Sequence, residues 1–70
     1  MTRYLIYGEN NKKPIRKTKH ENDAFMFTAD FKNLQQHGCM TIIREEENDG
    51  RQMWDPELMA WVNMDGDTSV

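Results

Sequence analysis

Residues 40–54 read MTIIREEENDGRQMW, and their reading as a β-hairpin decides the rest. Met40 to Glu46 contains the run Thr41-Ile42-Ile43, β-branched throughout, and reads as a strand. Asn48-Asp49-Gly50 follows. An Asp-Gly pair suits a type I′ turn because glycine takes positive φ without a Cβ clash. Arg51 to Trp54 then pairs back. An isolated hairpin is marginal in water, so a third strand or a helix must cover its apolar side.

The helix lies upstream, from about Asn22 to His37. Asn22 is a good N-cap, and Thr18 with Glu21 forms a rival capping box slightly earlier. Glu21 and Asp23 place negative charge at the positive end of the helix dipole. Ala24, Phe27, Phe31 and Leu34 recur at three- and four-residue spacing and predict one apolar stripe. Gly38 stands where a C′ glycine ends a helix. Further upstream, Arg3 to Tyr7 reads as a strand, residues 8–13 as a turn, and Pro14 to Thr18 as a returning edge strand. Pro14 cannot donate to a ladder, and Arg16 and Lys17 discourage edge-to-edge pairing.

Downstream, Asp55-Pro56-Glu57 admits two readings. It can open a helix running through Met64, with Leu58, Trp61 and Val62 on one face. It can equally be a loop before a last strand, Ala60 to Met64. The string Trp54 to Trp61, WDPELMAW, resembles hairpin segments of kelch and Rhs-type repeats, which read aromatic-Asp-Pro-Glu-x-x-x-aromatic. The resemblance spans eight residues and implies a local turn. Such loops carry Gly or Asn where this chain has Met59. Taking the strand, the chain is a single α+β domain, β-β-α-β-β-β, with an antiparallel sheet and one helix on one face. The other face is left at least partly open, because one helix has too little apolar surface to cover both sides. Asp65 to Val70 reads as a frayed polar tail.

Seventy residues make one domain at most. The chain has no run of eighteen apolar residues, so no helical membrane span is expected. Its first residues lack a signal-peptide pattern, and one cysteine makes no disulfide framework, so a cytoplasmic setting is expected. The net charge is −3, but it is polarised. Residues 1–20 hold six bases and one acid, and residues 21–70 hold three bases and eleven acids.

The candidates for chemistry are few. His20, His37 and Cys39 fall one ligand short of a structural zinc site. Cys39 after Gly38 reads as a small core hydrophobe, and His37 as a cation favoured by the helix C-terminus. The four glycines are scattered, so no phosphate loop is formed. No catalytic residue, metal or cofactor is expected. The reading is a small non-enzymatic interaction protein, an inhibitor or accessory factor like those of phages and other mobile elements. Its partner would be a larger protein or nucleoprotein complex. The contacts would be an acidic hairpin tip (Glu45, Glu46, Glu47, Asp49) and a Trp/Met surface around Trp54 and Trp61. The alternative is a nucleic-acid-binding module using Lys12, Lys13, Arg16, Lys17 and Lys19. A homodimer is compatible with so short a chain.

Overall fold

The computed structural model describes residues 1–47 and 50–64. Five strands and two helices follow in the order β1 (Arg3–Tyr7), β2 (Arg16–Thr18), α1 (Glu21–Ala29), α2 (Phe31–His37), β3 (Thr41–Glu46), β4 (Gly50–Asp55) and β5 (Ala60–Asn63). The strands form one antiparallel sheet in the order β2-β1-β3-β4-β5. This is the expected α+β architecture. Of the turn expected at residues 48–50, Gly50 is described, at φ 78°, and residues 48–49 lie outside the described residues. So does the stretch 65–70 read as a frayed tail.

Register divides the sheet residues between two faces. Tyr4, Ile6, Ile42, Arg44, Gln52, Trp54 and Trp61 share the face that carries the helices. There Tyr4, Ile6, Ala24 and Ile42 form the core, with Phe25, Phe27, Trp54 and Trp61 packed against it. Leu5, Ile43, Met53 and Val62 share the opposite face, which no described helix covers. Leu5 and Ile43 are nonetheless only 5% and 6% exposed.

The helix expected over 22–37 is two helices. Asp30 adopts extended backbone (φ −70°, ψ 128°) and breaks it. Its Oδ1 accepts from the Lys32 and Asn33 amides at 2.8 and 3.3 Å, capping α2. The Asn33 amide side chain donates to the Phe27 carbonyl at 3.1 Å, so the end of α1 is also satisfied. A carboxylate this close to free amides competes with helix continuation. The break also dissolves the expected stripe. Ala24 and Phe27 face the core, but Phe31 is 70% exposed and Leu34 41%. Phe25 takes the place expected of Phe31. The start differs too: α1 begins at Glu21 after His20, which makes no side-chain cap. Asn22 is therefore inside the helix, and the Thr18 hydroxyl accepts from the His20 amide instead.

The Asp55 segment is settled as a turn followed by a strand. Asp55 Oδ1 accepts from the Glu57 and Leu58 amides, as a helix cap would. The turn goes no further because Met59 takes φ 54° and redirects the chain into β5. Met59 thus holds the backbone that Gly or Asn adopts in loops of this kind. Met59→Asn should therefore raise stability by about 1 kcal/mol in urea denaturation, since the Met59 side chain is exposed and little packing is lost.

β2 is pinned to α1 by Arg16. Its guanidinium donates to both Asp23 oxygens at 3.2 and 3.0 Å and lies 5.1 Å over the Phe27 ring. Hydrogen bonding from the Thr18 hydroxyl and from Arg16 holds the Asp23 carboxyl below its ordinary value of 3.8. A depressed folded-state pKa stabilises the fold above the unfolded value, and the gain is lost as pH falls through the folded one. Asp23→Asn should thus destabilise at neutral pH and lose its effect in strong acid, as read by denaturation midpoints at the two pH values.

Candidate functional site: an apolar groove beside Trp54

The sheet register makes Trp54 and Trp61 direct cross-strand partners on β4 and β5. Their ring centroids are 5.3 Å apart and nearly edge-on. Phe25 from α1 meets both, at 4.9 Å from Trp54 and 6.2 Å from Trp61. Tyr4 closes on Trp61 at 5.9 Å. Arg44 lies 4.6 Å over the outer part of this cluster, at the Trp61 ring, with its guanidinium also held by the Gln52 side chain. Trp61 is therefore part of the packed aromatic cluster. Trp54 is half-buried and has a second side.

That second side lines a groove of about 470 Å³ between the helices and the β3–β4 pair. Phe25, Leu34, Met40, Ile42 and Trp54 supply its apolar wall, and Pro56 closes one end. A shallower hollow shares Phe25, Thr28 and Trp54 and continues to Met59. Leu34, on α2 after the break at Asp30, is 41% exposed and lines the groove. The ionisable groups at the groove are Asp55 and Cys39. Asp55 Oδ1 already accepts two amides. Cys39, expected in the core, is exposed, because the Gly38 backbone (φ 76°, ψ −149°) turns the chain outward there. The Cys39 amide donates to Glu9 Oε1 at 3.2 Å. Recognition in the groove would rest on apolar contact and shape.

The acidic tip lies at the far end of the hairpin, and its carboxylates are engaged among bases. Glu45 lies on the open face between Arg3 (2.7 Å) and Arg51 (3.5 Å). Glu46 lies on the helix face, where it accepts from the Thr2 hydroxyl at 2.6 Å and sits 3.9 Å from Arg44. Glu47 is exposed, 3.3 Å from the Met1 amino group. Asp49 lies outside the described residues. Tip and groove thus lie toward opposite ends of the hairpin, with Glu45 three residues along β3 from the groove residue Ile42, about 10 Å.

The basic candidates divide as well. Lys12 and Lys13 are exposed on the β1–β2 connection, Arg16 is held by Asp23, and Lys17 faces the open side with Leu5 as its partner. Lys19 shares a small hollow with Arg3 and Lys17. Among the described residues no group of three His, Cys, Asp or Glu side chains is placed to hold a metal. Comparison with family models, curated proteins and solved structures finds no significant match to this chain.

Leu34 is the groove residue the sequence periodicity assigned to the core, and its exposure is the signature of the groove. Leu34→Glu should leave the far-ultraviolet spectrum intact. It should weaken binding of an apolar fluorescent probe about tenfold, roughly 1.4 kcal/mol for a half-buried leucine contact.

Proposed function

We propose that this protein is a non-enzymatic binding domain that docks on a larger protein through the groove beside Trp54. One observation carries the reading: an apolar cleft with a tryptophan wall and a leucine rim stands open on a chain with few apolar residues to leave exposed. Half-buried tryptophans flanked by apolar side chains are where interface energy concentrates. Met40 and Met59 bring flexible, polarisable side chains that can adapt to an incoming one. The acidic tip acts at a distance, with exposed Glu47 biasing approach to a basic surface and contributing more to association rate than to affinity.

The test compares three baits in cross-linking capture from lysate: the natural chain, Leu34→Glu, and Lys12→Glu on the remote basic loop. A specific protein held by the natural chain and by Lys12→Glu, and lost from Leu34→Glu, supports the groove. Equal recovery of that protein by Leu34→Glu sinks it. Glu47→Lys should slow association with the same protein and leave dissociation nearly unchanged.

A second reading draws on the hollow shared by Arg3, Lys17 and Lys19. Arg3 is held by Glu45 at 2.7 Å, which leaves Lys17 and Lys19 to meet phosphates, and binding of that kind weakens steeply with salt. A gel shift with single- and double-stranded DNA and RNA at low salt decides it. The reading requires a shift that disappears in the Lys17→Glu, Lys19→Glu double variant.

A further inference from the structure

The two edges of the sheet are built differently. β2 is guarded by Pro14, Arg16, Lys17 and Lys19, features that discourage pairing with another strand. β5 has the sequence Ala60-Trp61-Val62-Asn63, with no charge and no proline, and no described strand pairs with its outer side.

The ladder also fixes which of its backbone groups point outward. The Met64 amide donates to the Arg51 carbonyl at 3.0 Å. Hydrogen-bonded pairs alternate in an antiparallel ladder, so Ala60, Val62 and Met64 turn their amides and carbonyls toward β4. Trp61 and Asn63 therefore turn theirs away from the sheet. These two residues flank Val62 symmetrically, which makes the edge self-complementary.

We propose that β5 pairs antiparallel with β5 of a second copy of this chain, about a two-fold axis at Val62, joining two sheets into one of ten strands. Trp61 and Asn63 of each copy exchange backbone hydrogen bonds with Asn63 and Trp61 of the other, four bonds in all by this register. Val62 meets its counterpart across the axis as a non-hydrogen-bonded pair. On the open face the row Leu5, Ile43, Met53 and Val62, which already crosses four strands, then continues into the same row of the second copy. Val62 and Met53 are each 38% exposed at the end of that row, so pairing covers apolar surface as well as backbone. Net charge −3 on each copy opposes association, but the edge itself brings no like charges together. Phe25 of α1 meets Trp61 on the helix face, but the pairing uses the outward backbone of Trp61 and Asn63 and the open-face Val62, so the proposal does not depend on the groove reading.

A four-residue edge falls short of the roughly 1,200–2,000 Å² of a standard interface, so the dimer is weak and concentration-dependent. Sedimentation equilibrium from micromolar to millimolar should show a monomer–dimer transition. Asn63→Pro removes the outward amide together with the side-chain oxygen that accepts from Gln52 and should abolish the dimer, whereas Asn63→Ala, which loses the same side chain but keeps the amide, should retain it. In a Cys39→Ser background, Val62→Cys should cross-link on mild oxidation. Non-hydrogen-bonded partners lie about 4.5 Å apart at Cα, within the reach of a disulfide. Lys17→Cys on the opposite edge should not cross-link. A chain that stays monomeric at millimolar concentration overturns the proposal. So does a dimer that persists in Asn63→Pro and leaves Val62→Cys uncross-linked.

Discussion

The constraint behind this structure is one of width. Five strands about 4.8 Å apart make a sheet some 19 Å across, while a helix with its side chains is about 10 Å wide. One helix layer covers two or three strands. α1 settles on β1 and β2, where the small buried Ala24 lets it approach Ile6 closely. The β4 and β5 half of the same face must find other cover. It is covered by aromatic bulk, with Trp54, Trp61 and Phe25 packed edge-on and Arg44 lying over the Trp61 ring.

That substitution accounts for the groove. Large rings span a gap but do not fill it as a second helix would, and the cleft beside Trp54 is the space left between α2 and the sheet. The opposite face has a different solution. Leu5 and Ile43 are buried there beside the row Arg3, Glu45 and Arg51, which two ion pairs hold together. Charged side chains whose aliphatic stems lie over apolar groups can close a sheet surface without a helix. The acidic run at the hairpin tip belongs to this scheme, since Glu45 and Glu46 are distributed to opposite faces and each meets arginine there.

The elements themselves were legible in the chain. Met40 to Glu46 and Arg51 to Trp54 announce a hairpin, Arg3 to Tyr7 a strand, and Gly38 a helix end, because each depends on neighbours in sequence. Two local signals were present but open to more than one reading. Asp30 is a capping residue as well as a polar residue on the solvent side of a stripe. Asp55 caps one turn whether a helix or a strand follows. At Asp30 the periodicity favours continuation, at Asp55 it leaves helix and strand open, and the outcome depends on packing against distant residues.

Sequence alone determined the α+β class, the strand pattern, the polarity of charge along the chain and the basic defence of the β2 edge. It did so because propensity, capping and alternation act within a few residues. The tertiary structure alone decided the broken helix, the exposure of Phe31 and Leu34, the groove beside Trp54, the pairing of the acids with Arg3, Arg44 and Arg51, and the outward aim of the Trp61 and Asn63 backbone. Each of these depends on which residues meet across the sheet, and that register joins positions up to forty-two apart in the chain.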